Sequence, residues 1–229
     1  MVDDGVGKIM DTLDRLDIAE DTLLIFTTDH GLSTGEHGFW GHGAATYPSN
    51  LHRAAHSVPM IMRQAGVTAA GTRSQVMASN MDIYATILEH VGIPETEETV
   101  PSRSLKPILT GADLENWGVD AVFAEQEETR VIRTAKWVLF KRFKTTTDPL
   151  YDELYDVEND PDEAVNLAED PAFAEIKSKL DTQLCAYFDR YADARSDLWQ
   201  GGAPIQNSER KGLWKRAWGD SWQPVYSYE

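Results

Sequence analysis

Residues 23–43 read LLIFTTDHGLSTGEHGFWGHG, and the side chains beyond the apolar run are of the kinds that hold metals and anions. Asp29 and His30 set a carboxylate beside an imidazole, two ligands of different hardness for a divalent cation, and Gly31 lets the chain turn behind them without a Cβ. Five of the six histidines fall between residues 30 and 56. His42 stands between Gly41 and Gly43, where the backbone can approach a ligand closely and either ring nitrogen can donate to an anion. His52 and His56 are four residues apart in NLHRAAH, but no Glu follows the first as in the helical zinc motif, so they read as surface or packing histidines. Residue types and spacing together indicate a divalent-metal site that handles an anionic substrate.

The elements that must position these residues follow from periodicity. Val6, Ile9, Met10, Leu13 and Leu16 form the apolar stripe of an amphipathic helix over 3–18. Leu23 to Phe26 is a short run expected to be a strand buried on both faces, as in a parallel sheet. Asp29 and His30 then lie past a carboxyl strand end, where ligands collect in such sheets. A helix leading into a buried strand is half of a βαβ unit, so the chain reads as the later part of something larger. SVPMIM (57–62) is a second short strand, and Ile83, Tyr84, Ile87, Leu88 and Val91 share the apolar side of a helix over 80–91. Residues 94–120, rich in Pro, Glu, Thr and Gly, read as a surface linker.

Beyond the linker the texture changes. AVFAEQEETRVIRTAKWVLFKRF (121–143) alternates β-branched and aromatic runs with short polar turns, which predicts an antiparallel meander, and DELYDVEN adds another strand. Pro171 behind the cap Asp170 opens a helix whose buried face is Phe173, Ile176, Leu180, Leu184 and Phe188. Cys185, the one cysteine, lies on that helix and is expected to be a packed core thiol; alone it excludes an internal disulfide. Trp214, Trp218 and Trp222 recur every fourth position and are expected to clamp the tail onto the body. The expected domains are 1–118, α/β, and 119–229, a small α+β domain with a Trp-rich tail.

Charge narrows the partners. Thirty-eight acidic against twenty-one basic residues give a net charge of -17, which repels nucleic acid and anionic membranes. No run approaches the length needed to span a bilayer, and the first residues carry no signal-peptide pattern. The acidity leans toward a cytoplasmic protein of a salt-adapted cell.

VDDGVGKIMDTLDRLDIAEDTLLIFTTDHGLSTGEHGFWGHG resembles the later part of the sulfatase family, within the alkaline phosphatase-like hydrolases. SVPMIM, SNMDIYATILEHVGIP with SRSLKPILTG, and ELYDVENDPDEAVNLAEDP match in the same order. The resemblance implies a parallel-sheet α/β sandwich of the alkaline phosphatase-like type followed by a small antiparallel sheet plus helix. It implies that Asp29 and His30 are metal ligands, for calcium in first place, with magnesium or manganese as alternatives. His42 falls where many members carry a lysine on the ester oxygens and takes the catalytic place, with His37 beside it as a substrate contact. The family's nucleophile, a formylglycine from Cys/Ser-x-Pro-x-Arg, has no counterpart: Cys185 lacks Pro and Arg at the required offsets. The nearest similar run, TVPSR from Thr99 to Arg103, runs into the match to SRSLKPILTG instead. The implied activity is hydrolysis of a small-molecule or carbohydrate sulfate ester, with the missing N-terminal half or a further copy of the chain as partner. Phosphodiester or phosphonate monoester hydrolysis, or a metal-binding fragment without activity, are the alternatives.

Overall fold

The computed structural model describes residues 1–43, 46, 48–94, 101–111, 118, 120–143, 150–195, 197–200 and 221. Thr99, Trp214, Trp218 and Trp222 lie outside the described residues. The chain divides into two compact units, 1–29 with 58–119, and 30–57 with 120–229. No helix among the described residues is long and apolar enough to cross a membrane.

In the first unit, α1 (Val2–Arg15) forms where the apolar spacing predicts it, with Asp3 and Asp4 in its first turn and Arg15 in its last, charges that suit the helix dipole. None of its residues is fully buried, however: Val6, Met10 and Leu13 are half-buried and Ile9 is 56% exposed, so its apolar stripe is only partly covered among the described residues. β1 (Leu24–Phe26) is likewise half-buried rather than buried on both faces, and its partner β4 (Ile61–Arg63) runs antiparallel, pairing Ile25 with Met62. The apolar run made the strand legible; a two-stranded sheet has too little covering to bury it.

α3 (Asp82–His90) inverts the expectation about its face. Asp82, Ala85 and Thr86 are buried, whereas Tyr84, Ile87 and Val91 are exposed. The reason is hydrogen bonding. Asp82 accepts from the backbone N–H of Ser79 (2.8 Å) and of Arg103 (2.9 Å), and Thr86 Oγ1 accepts from the N–H of Leu105 (2.8 Å). Ser102 Oγ in turn accepts from the N–H of Ala85 (3.0 Å) and donates to the Met81 carbonyl (2.7 Å). The stretch expected to be a free linker is thus stitched to α3 over 102–105 and continues into α4 (Lys106–Leu109). Burying backbone donors without such partners costs about 1–3 kcal/mol each, which outweighs leaving a few apolar side chains wet.

The second unit is built on the meander the sequence predicts: β5 (Ala121–Gln126), β6 (Thr129–Thr134), β7 (Trp137–Arg142) and β8 (Glu153–Asp156), antiparallel and in that spatial order. Alternation gives it two apolar faces. Ile132, Leu139 and Leu154 point to one, where Leu180, Leu184 and Phe188 of α5 (Ala174–Tyr191) cover them. Val131, Val138, Phe140 and Tyr155 point to the other, and Leu51, fully buried, covers them from the histidine-rich segment. Asp170 caps the entry to α5, accepting from the N–H of Ala172 at 2.9 Å across the 3-10 turn Pro171–Phe173. Cys185 is exposed, not a core thiol, because one residue past Leu184 is about 100° round the helix. Replacing Leu184 by Ala should therefore cost about 2–5 kcal/mol of stability in the second unit, while Cys185→Ala should change it by less than about 0.5 kcal/mol. Urea denaturation of the two variants checks the contrast between neighbours.

Candidate active site

Asp29 closes the first unit just after β1; it is exposed, with Oδ1 accepting from Thr28 Oγ1 at 3.2 Å. His30 opens the histidine-rich segment of the second unit. Its Nδ1–H donates to the Gly31 carbonyl at 2.8 Å, the kind of bond that orients an imidazole metal ligand. The ring stacks on His42, centroids 4.4 Å apart and planes 27° from parallel. The two histidines singled out by their surroundings in the sequence are thus brought together.

A short hairpin joins them. β2 (Ser33–Thr34) pairs with β3 (Trp40–Gly41), Ser33 opposite Gly41, with a 3-10 turn over Glu36–Gly38 between. Glu36 accepts from the N–H of Thr34 at 2.5 Å, and Gly35 N–H donates to the Phe39 carbonyl at 3.0 Å. His37 at the tip has φ 54° and ψ 19°, the left-handed region that a residue with a side chain enters at a cost of roughly 1–2 kcal/mol. His30 precedes this hairpin and His42 follows it, so the hairpin's seating sets both rings.

The seat is the segment 49–56. Gly31 N–H donates to the Ala55 carbonyl at 2.8 Å, and the approach is so close that a Cβ on Gly31 would lie 2.1 Å from the Ala54 oxygen. Asn50 Nδ2 donates to Ser33 Oγ at 2.8 Å, and Asn50 Oδ1 accepts from the N–H of His52 at 3.1 Å. Ser49, fully buried, donates its N–H to Glu128, and its carbonyl accepts from Arg142 at 2.6 Å. His52, expected to be an ordinary surface or packing residue, is 2% exposed and faces two carboxylates. Nδ1 is 2.7 Å from Glu163 Oε2, and Nε2 is 3.4 Å from Glu153 Oε2. α2 (Arg53–His56) is a single turn, so the i, i+4 spacing of His52 and His56 makes no helical ligand pair.

With a carboxylate at each ring nitrogen, the surroundings of His52 favour the imidazolium. Burial works against that charge, but the hydrogen bonds and charges of Glu153 and Glu163 outweigh it and raise the pKa above the usual histidine value. Glu163, bonded also to Arg133 at 2.5 Å, is lowered: burial opposes ionisation but loses to the His52 bond and the Arg133 charge. Glu153 is held at about 2, since burial is outweighed by the His52 bond, the charge and bond of Arg142, and the Tyr155 hydroxyl at 2.7 Å. His37 lies flat on His52, centroids 3.8 Å apart and planes 10° from parallel. Burial first, then the His52 charge, lower its pKa. His56 is lowered as well, by burial and then Arg133 and His30.

Among the described residues, His37, His52 and Glu163 are the one group of such side chains whose ligand atoms lie within 4.8 Å of one another. Their arrangement is a stack rather than a ligand set. Imidazole lone pairs lie in the ring plane, so two parallel rings 3.8 Å apart cannot both aim at one ion, and His52 Nδ1 already faces Glu163. Neither Glu153 nor Glu163 was marked by the sequence pattern: each lies more than a hundred residues from His52, and Glu163 stands in an acidic turn like many surface ones.

The sulfatase family model matches residues 1–93. A choline-sulfatase of Rhizobium meliloti (strain 1021) is 33% identical over 178 residues, 74% of this chain and 31% of its own length. The phosphonate monoester hydrolase of Agrobacterium radiobacter superposes with a TM-score of 0.71 at 25% identity, covering 88% of this chain and 42% of that one. A structure holding its substrate D-glucosamine-2-N,6-O-disulfate also reaches 0.71, at 23% identity over 83% of this chain and 38% of that one, a likeness of fold. The chain spans about a third of the length of the curated relatives it matches, 31% of the choline-sulfatase and 36% of a multifunctional alkaline phosphatase superfamily protein of Trinickia caryophylli.

The carboxylate pair around His52 carries a pH dependence whose sign is fixed. The folded pKa of Glu153 is depressed from 4.5 to about 2, so its contribution is present above 4.5 and is lost as pH falls toward 2. Glu153→Gln should be less stable than the parent at pH 7, and the gap should close between pH 4.5 and 2. Denaturant midpoints across that range measure it.

Proposed function

The chain belongs to the sulfatase family, within the alkaline phosphatase-like superfamily, and we propose on that premise that it forms part of a metal-dependent hydrolase of sulfate esters. The observation that carries this reading is the stacked pair His30–His42, with Asp29 next to His30 in the sequence, at the place where the family match runs. Asp29 and His30 would hold a divalent ion, calcium in first place, with magnesium or manganese as alternatives. The residues fit: one ligand is a carboxylate, and the other is an imidazole whose Nδ1 is engaged by a carbonyl so that Nε2 can accept a cation. When bound, the ion supplies positive charge against the ester oxygens.

The chain's own residues have separate tasks. His42, held against His30 by the stack, donates a hydrogen bond to the bridging oxygen as charge develops there. His37, exposed in the same hairpin, is the second substrate contact in this reading. Gly31 and Gly43 admit the close backbone approaches that bring these rings near one another: a Cβ on Gly43 would meet the Asn50 carbonyl at 2.8 Å. The nucleophile is not among the groups this chain brings to the site, and it is assigned to sequence outside these 229 residues. The substrate is a small-molecule or carbohydrate sulfate ester, the class named for the choline-sulfatase relative and for the disulfated sugar in the matched structure.

A phosphonate monoesterase or phosphodiesterase reading is favoured by one observation, the superposition on the Agrobacterium radiobacter enzyme. Turnover of an aryl sulfate against an aryl phosphonate by the protein with its nucleophile-bearing sequence present separates the two; faster phosphonate cleavage would overturn the sulfate assignment. Calcium and manganese titrations of the present chain test the metal site. Binding should weaken at least tenfold in Asp29→Asn and in His30→Ala, and unchanged affinity in both variants would remove these residues from the site.

A further inference from the structure

The hairpin between His30 and His42 is attached at its base and at its tip by different chemistry. At its base, Ser33 Oγ and Asn50 Nδ2 share a neutral hydrogen bond, which is indifferent to pH near neutrality. At its tip, the His37 ring lies on His52, which is buried, clamped by Glu163 on one nitrogen and Glu153 on the other, and backed by Phe140 at 4.7 Å. Phe39 stands 6.0 Å away on the same ring. The groups facing the stack are therefore Glu153 and Tyr155 of β8, Glu163 of the following turn, Arg133 of β6 and Arg142 of β7. The His37 ring is itself hydrogen-bonded to the backbone of Asp162, while the two carboxylates across the seat are bonded to His52.

We infer that the His37–His52 stack is an acid-sensitive latch, positioning His30 and His42 by seating the hairpin while His37 is neutral and releasing its tip when His37 takes up a proton. The physical ground is face-to-face charge. One imidazolium with a neutral ring on its face is attractive, because the neutral ring offers π density to a cation. Two imidazoliums at 3.8 Å are two unit charges in a half-buried place with the two carboxylates already engaged in the plane of the lower ring. The left-handed backbone at His37 adds to the tendency to spring free, since the stack offsets its conformational cost. His37 and His52 thus become positioning residues for the reaction proposed above, on which their catalytic relevance rests; the latch itself is a property of the fold.

The pH window follows from the direction of the His37 shift. His37 is depressed below 6.5 in the seated state, so seating is unaffected at higher pH and weakens as pH falls below 6.5, by up to tenfold per pH unit until the seated pKa is reached. His52 is raised by Glu153 and Glu163, which hold it whether or not the hairpin is seated, so this shift adds no pH dependence to the seating. The hairpin is held best above 6.5.

Hydrogen exchange of the amides of residues 33–41 reads the latch without any substrate. After correction for the intrinsic pH dependence of exchange, opening of the hairpin should increase between pH 7 and pH 5 in the parent chain, by up to about 25-fold. In His37→Phe, whose ring can stack but not titrate, that increase should vanish. Proton NMR of the imidazole C2–H signals should give His37 a midpoint below 6.5 and His52 one above it. Equal acid loosening in parent and His37→Phe would overturn the latch, as would a His37 midpoint at or above 6.5, which can be read even if the variant does not fold. Neither readout involves hydrolysis or metal, so failure here leaves the sulfate-ester reading standing, and failure of that reading leaves the latch standing.

Discussion

A buried positive ring between two carboxylates is the constraint on which the second unit depends. His52 reaches across to Glu153 at the start of β8 and to Glu163 in the turn beyond it, residues 101 and 111 positions further along the chain. Charges removed from water cost several kcal/mol apiece unless paired and hydrogen-bonded, so the geometry has to be complete or the segment 49–56 cannot lie on the sheet at all. Leu51 next to it supplies the apolar part of the same attachment, filling the face made by Val131, Val138, Phe140 and Tyr155. Packing gives the segment a place, and the ion cluster gives it a single register. The second effect is specificity rather than raw stability, because a well-packed apolar group at position 52 could fill the volume but would leave Glu153 to Arg142 and Glu163 to Arg133, with nothing to tie the segment to either carboxylate.

Much of this architecture is legible in the sequence, and the limits of legibility have a common cause. The meander and α5 are read correctly because alternation and the 3.6-residue period are local signals, and Asp170–Pro171 marks the helix entry by local chemistry. Cys185 is misread although the stripe Phe173, Ile176, Leu180, Leu184, Phe188 already excludes it, since a neighbour of a stripe residue points elsewhere. α3 is misread for a deeper reason: its buried face is chosen by Asp82 and Thr86 satisfying the backbone of 103–105, and hydrophobicity alone selects the opposite side. His52 is misjudged because nothing near it in the sequence announces carboxylates more than a hundred residues away. Apolar periodicity is written locally; polar complementarity between distant segments is not.

The same contrast separates the parts of the candidate site. Asp29, His30 and His42 are visible as types and spacings, and the pairing of His30 with His42 is one the chain achieves through a nine-residue hairpin span. What the sequence does not display is the support beneath them. Gly31 shows its purpose only when Ala54 is found where a Cβ would stand, and Ser33 only when Asn50 is found donating to it. A site carried on a loop is only as precise as the rigid element below it, and here that element is a four-stranded sheet with both faces covered.

Charge distribution gives this arrangement its direction. The chain as a whole carries a net charge of -17, and the cluster under the hairpin sets His52, Arg133 and Arg142 against Glu153 and Glu163, with Glu128 bonded to Ser49 close by. These charges balance one another from groups that are mostly buried and therefore little screened by salt. The exposed ring of His37 is the outermost member of that cluster, and burial and then the His52 charge oppose its proton more than Glu163 and Glu153 favour it. Keeping that ring neutral spares the hairpin the repulsion that a second cation on the same face would bring. The stack therefore divides two demands between two side chains: His52 meets Glu153 and Glu163, and His37 keeps the hairpin tip seated between the rings at its two ends.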